Sequence, residues 1–118
     1  MLTRRKPRVA EVFFALGDET RLSILAKLRS GALSATALAD GAGVTRQAIV
    51  KHLQVLDGAG LVAHRKYGRE VLYTPDTRRL EEARAFLEMI SAGWDRAIDR
   101  LTDMVEGQSR PTLKKHRR

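Results

Sequence analysis

Cysteine is absent from all 118 residues. That excludes disulfides, thiolate metal sites and cysteine nucleophiles. No apolar run reaches the roughly 18 residues that a membrane-spanning helix needs. Residues 1–8 are basic, but no apolar signal-peptide core or small-residue cleavage site follows them. The expected place is therefore the cytoplasm. The chain also lacks an HExxH motif, a phosphate loop and a glycine-flanked nucleophile. Its histidines, His52, His64 and His116, are scattered, which does not make a metal site. Neither an enzyme nor a bound cofactor is expected.

What is present is a foldable composition. Apolar residues make up 43% and charged residues 31%, which sets the chain apart from disordered sequences. Its length suits one domain with one core. The formal net charge is +8, and it is unevenly placed. Residues 1–8 hold four Lys/Arg and residues 110–118 hold five, with no acid in either stretch. The body between them is nearly neutral. Within it, residues 45–69 carry Arg46, Lys51, Arg65, Lys66 and Arg69 against Asp57 alone. Basic ends and a basic patch point to a polyanionic partner.

The apolar spacing of Val9, Val12, Phe13 and Leu16 predicts a helix over residues 9–16, stopped at Gly17. Asp18 is suited to cap a second helix, with Glu19 in its first turn and Leu22, Leu25 and Leu28 on its apolar face. Ser34 is suited to start a short helix over about residues 35–42. Thr45 is suited to start another over about 46–57, with Ile49, Leu53 and Leu56 facing inward. The turn between these two contains Gly43, so the pair reads as a helix-turn-helix. Two β-prone runs, residues 61–65 and 70–74, flank a basic turn with Gly68 and read as a hairpin.

Asp76 is placed to cap a last, long helix over about residues 77–106. Leu80, Leu87, Trp94 and Leu101 recur every seven residues along it. A second series, Ala83, Ile90, Ala97 and Met104, runs beside the first, and Phe86, Ile98 and Val105 widen the stripe. A helix of 30 residues is about 45 Å long, whereas a 100-residue domain has a radius of gyration near 13 Å. One such domain does not easily cover the whole stripe, so a homodimer is expected. Its interface would use Val9, Val12 and Phe13 with Leu80, Leu87, Ile90, Trp94, Ile98 and Leu101. The expected organisation is a basic arm (1–8), one domain (9–106) and a basic tail (107–118).

The element order is α-α-α-α-β-β-α: mainly α with a small β-hairpin, the layout of a winged helix-turn-helix that dimerises through its terminal helices. In that layout the second helix of the motif enters the major groove of double-stranded DNA. Arg46, Gln47, Val50, Lys51 and Gln54 lie off the inward face and are the base-reading candidates. Arg and Lys suit guanine, Gln suits adenine, and Val50 suits a thymine methyl. Thr45, at the helix N-terminus, suits a phosphate. The hairpin residues Arg65, Lys66, Tyr67 and Arg69 suit phosphates or the minor groove. His52 reads as structural or phosphate-facing, and Arg21 as a surface ion pair or a brace.

The stretch Phe14-Ala15-Leu16-Gly17-Asp18-Glu19-Thr20-Arg21-Leu22-Ser23-Ile24-Leu25 resembles the opening signature of the arsenical-resistance-repressor (ArsR-like) family. The run from Thr45 to Leu56, followed by Gly58-Ala59-Gly60-Leu61-Val62, resembles that family's recognition helix and entry to the wing. Gly68-Arg69 with Leu72-Tyr73 resembles its wing. The resemblance spans roughly residues 10–105. It implies a homodimeric repressor that binds an inverted-repeat operator, with the first and last helices forming the dimer interface. Metal-sensing members carry cysteines before the recognition helix, or Asp/His/Glu sets in the last helix. Here residues 35–41 lack cysteine and the last helix lacks histidine, so the metal-independent branch is expected. The position of Val50 is often Ser or Thr in the family.

The leading expectation is thus a sequence-specific DNA-binding repressor, cytoplasmic and nucleoid-associated. It carries no metal, and its effector is an unnamed small molecule or protein, if it has one. Two alternatives stay open: a sequence-independent nucleic-acid binder, and a winged-helix module for protein interaction.

Overall fold

The structure is a computed structural model that describes residues 8–107. The expected basic arm, apart from Arg8, and the tail beyond Gly107 lie outside the described residues. Two compact units divide the chain, Met1–Arg84 and Ala85–Arg118.

In the first unit, α1 (Val9–Leu16) opens where the Arg8 amide donates to Glu11 Oε1 at 3.2 Å and the Glu11 amide donates to the Arg8 carbonyl at 2.9 Å. It stops where the Gly17 amide turns back to the Phe14 carbonyl. In α2 (Glu19–Leu28) the Asp18 carboxylate accepts the Arg21 amide at 3.0 Å. β1 (Leu33–Ser34) is two residues long, and Ser34 also caps α3 (Ala35–Ala39) by accepting the Ala37 amide. Gly43, at φ 77°, provides the left-handed turn into α4 (Arg46–Gly58). Thr45 Oγ1 accepts the Ala48 amide at 3.0 Å and starts that helix. Replacing Thr45 with Ala should cost about 1 kcal/mol of stability, as cap removal does. Urea unfolding measures this, and an unchanged midpoint would show the cap to be idle.

β2 (Val62–Tyr67) and β3 (Glu70–Pro75) form an antiparallel hairpin in which Tyr67 pairs with Glu70. Its two-residue loop is Gly68-Arg69, with Gly68 at φ 59°, the residue a type II′ turn wants first. The sheet has three strands, ordered β1-β3-β2. The sequence pattern predicts two strands and an α3 reaching residue 42; the structure has a third strand and ends α3 at Ala39. A two-residue strand shows no alternation to read. β1 exists because Leu33 and Ser34 meet Tyr73 and Leu72 across the sheet. The observed order is therefore α-α-β-α-α-β-β-α.

Ile24, Leu28, Leu38, Ile49, Leu53, Leu56 and Leu61 are the largest side chains sealed in the core. Val12 is 1% exposed and packs among them. That corrects its assignment to an interface: it is already covered within its own chain. Val9 and Phe13 also lean on the core but stay half-buried. The apolar residue that α1 presents outward is Phe14, 70% exposed.

The last helix, α5 (Arg78–Glu106), is 29 residues long. Asp76 receives the Arg78 amide at 3.2 Å and its guanidinium at 2.7 Å, which fixes the helix start. The Arg78 hydrogen bond holds the Asp76 carboxyl below its usual pKa. Leu80 is exposed and Ala83 is buried in the core. In the second unit the described residues are the rest of α5 and Gly107. Leu87, Ile90, Trp94, Ile98 and Leu101 are all exposed there, Trp94 at 65%. No described helix is long and apolar enough to cross a membrane.

Candidate nucleic-acid interface

Three buried side chains, Ile49, Leu53 and Leu56, anchor α4 and decide which of its faces meets solvent. Arg46, Gln47, Lys51 and Gln54 are exposed, and Val50 is half-buried. All five base-reading candidates thus lie off the buried face, as their spacing required. Arg46 is also held in place: its Nε donates to Thr36 Oγ1 on α3 at 3.1 Å. Thr36 was not among the expected site residues. Nothing local marks it, since its role arises only once α3 and α4 cross.

A groove of about 300 Å³ runs between α4 and the hairpin. Arg46 and Val50 line one side, and Arg69, Val71 and Tyr73 line the other. Arg69 at the hairpin tip is therefore brought to the recognition helix. The register splits the remaining hairpin candidates. Arg65 pairs with Leu72 and Tyr67 with Glu70 on one face of the sheet, while Lys66 pairs with Val71 on the other, beside His64 and Tyr73. His64 meets Asp57 of α4 at 3.2 Å, so the face bearing Lys66 is the one turned toward α4. Arg65 and Tyr67 line a separate groove of about 470 Å³ with Ala63, Leu72 and Thr74. The four hairpin candidates do not form one contact surface.

Arg21 ties α1 and α2 to the recognition helix. It is the buried charged side chain of the described residues, 9% exposed. Its Nε donates to the Ala15 carbonyl at 2.7 Å and another guanidinium nitrogen to the Phe14 carbonyl at 3.3 Å. Both acceptors belong to the last turn of α1, where the Phe14 carbonyl also accepts the Gly17 amide. The third guanidinium nitrogen reaches His52 Nδ1 on α4 at 3.2 Å. Arg21 is thus a brace and not a surface ion pair. The Arg21 amide bond, opposed by partial burial and helped by the nearby guanidinium, holds the Asp18 carboxyl below its ordinary pKa. Asp18 is therefore anionic at neutral pH. Among the described residues, no three His, Asp or Glu side chains gather as a metal-holding group.

Comparison with known proteins places this geometry. A family described as a helix-turn-helix domain matches residues 16–65, from the end of α1 into β2. The HTH-type transcriptional regulator Rv2034 of Mycobacterium tuberculosis is 33% identical over 112 residues, which cover 95% of this chain and 100% of that protein. The ArsR-like transcriptional regulator from Rhodococcus sp. RHA1 superposes with a TM-score of 0.75 at 42% identity, over 85% of this chain and 94% of that one. The homodimeric winged helix-turn-helix DNA-binding domain of Mb0332 from Mycobacterium bovis, described as a possible ArsR-family regulator, superposes with a TM-score of 0.58 at 28% identity. That match covers 71% of this chain and 78% of the Mb0332 fragment. The chain belongs to the ArsR-like family of winged helix-turn-helix transcriptional regulators.

Proposed function

We propose that the chain is a homodimeric repressor that reads an inverted-repeat operator and responds to no metal. The observation that carries the reading is the surface around α4. Gln47, Lys51 and Gln54 are exposed on it, and Arg46 and Val50 face Arg69 across one groove. Such a surface offers donors for guanine and adenine edges together with cations for the phosphates beside them. Thr45, Arg65, Lys66 and Tyr67 are the expected flanking contacts. Two observations support the homodimer: the exposed apolar stripe of α5, and a homodimeric relative of the same fold. Independence from metal rests on the lack of cysteine and on an α5 without histidine. A DNA ligand implies a cytoplasmic, nucleoid-associated protein.

Selection of bound fragments from random duplex DNA at near-physiological salt tests this reading. The expected product is an inverted repeat with half-sites about 34–36 Å apart, one helical turn. Val50→Ser should change the base preferred at one position in each half-site, because an apolar methyl contact becomes a hydrogen-bonding one. An identical motif from both proteins would remove Val50 from base reading. Unenriched fragments, all released together as salt rises, would instead make the chain a sequence-independent binder.

A further inference from the structure

The contact between Arg21 and His52 fixes more than the fold. Arginine is always cationic and carries no acceptor. At 3.2 Å from the guanidinium, His52 Nδ1 must therefore be the accepting nitrogen. A neutral imidazole that accepts at Nδ1 carries its proton on Nε2. Asp18 Oδ2 lies 3.8 Å from the same Nδ1, beyond hydrogen-bond reach, so it does not reverse this assignment. Nε2 points to the opposite edge of the ring. It meets no partner among the described residues, and none of their buried polar side-chain atoms goes unpaired. The His52 side chain is 25% exposed. A neutral N–H donor of fixed tautomer thus faces solvent from the recognition helix.

Its position on the helix indicates what that donor meets. At about 100° per residue, His52 falls on the flank of α4 shared with Ala48 and Val55, beside Lys51. Arg46 and Val50 occupy the other flank, toward the hairpin. A helix seated in the major groove turns one flank to each phosphate wall. Arg69 serves the hairpin side. We propose that His52 serves the other: held by Arg21, it donates its Nε2–H to a phosphodiester oxygen of the operator backbone. The inference rests on the DNA-binding reading above and adds a contact residue to it.

Two variants separate this contact from a purely structural role. In His52→Asn the amide oxygen lies near the place of Nδ1, so the Arg21 bond is retained and the outward donor is lost. In His52→Gln the longer amide reaches the place of Nε2, so the outward donor is retained and the Arg21 bond is lost. Affinities for the selected operator and for an unrelated duplex are measured beside thermal melts. His52→Asn should melt near the parent yet bind both duplexes about a hundredfold more weakly, about tenfold for each of the dimer's two contacts, the lower end for a hydrogen bond to a charged group. Its salt slope should match the parent's, because a neutral donor displaces no counterion. His52→Gln should melt earlier yet bind within about twofold of the parent where folded. Methylphosphonate substitution of one phosphate per half-site should weaken the parent and leave His52→Asn unchanged. Parental binding by His52→Asn would overturn the proposal and leave His52 as a brace. If the parent itself bound no duplex, the DNA-binding reading would fall first, and this contact with it.

Discussion

Arg21→Ala should lower the unfolding free energy by about 3 kcal/mol, because a buried acceptor left without its donor costs about 1–3 kcal/mol. The Ala15 carbonyl and His52 Nδ1 lose their donor, and the Phe14 carbonyl keeps only the Gly17 amide. The Ala15 bond is the buried one and weighs most. The apolar stem of Arg21 is lost too, as is the cation–π contact of its guanidinium, 5.5 Å from the Phe14 ring centroid. On a domain of this size such a loss lowers the melting temperature by about 10–20 °C. Arg21→Lys should recover only part of the loss, since one ammonium on a flexible stem cannot reproduce a planar fork aimed at three acceptors. Exposed Glu19 on the same helix provides the control: its replacement by Ala should shift stability by about 0.5 kcal/mol at most. Calorimetry of the three variants decides the matter. An Arg21→Ala protein that melts within a degree or two of the parent would show that α1 and α4 are held by apolar packing alone.

This role for Arg21 marks the boundary of what the sequence could disclose. Helices α1 and α4 were legible to within a residue, α1 from apolar spacing up to Gly17 and α4 from the Thr45 cap with the same spacing. The start of α2 was legible from its Asp18 cap, but its inward face was not: Leu22 is exposed and Ile24 is buried instead. The hairpin was legible from its turn chemistry. What was not legible depends on pairs distant along the chain. Arg21 and His52 are 31 residues apart, and Arg46 and Thr36 are ten apart; no local pattern announces either contact. β1 has too few residues to show a period and is stabilised by β3, some 40 residues later. Val12 failed as an interface residue for a related reason. Spacing showed that one face of α1 is apolar, but only the packing of α2 and α4 shows how much of that face one chain uses. The same limit applied to the hairpin, where a basic cluster in sequence became two opposed faces once the register was set.

In the homodimer proposed above, Leu87→Glu combined with Leu101→Glu should convert the protein from twice its chain mass to once, as read by sedimentation equilibrium at micromolar concentration. The two positions are 14 residues apart, four turns at the 3.5-residue period of a helix-packing seam, so they mark one stripe on α5. Both side chains are exposed in the single chain, as are Ile90, Trp94 and Ile98 between them. A soluble helix does not keep such a stripe in water when a second copy can cover it. Each glutamate would bring an unpaired charge to the seam, and burying one costs several kcal/mol. The core of the first unit holds neither leucine, so its own stability should change little. Operator affinity should fall by about a hundredfold or more, because two linked recognition helices gain at least that factor over separate ones. Affinity for a single half-site should be unchanged. Ala92→Glu places the same charge on the opposite side of α5, and that variant should stay dimeric and bind as the parent does. If the double variant kept twice the chain mass, the seam would have to lie elsewhere, and exposed Phe14 on α1 would be the next position to replace.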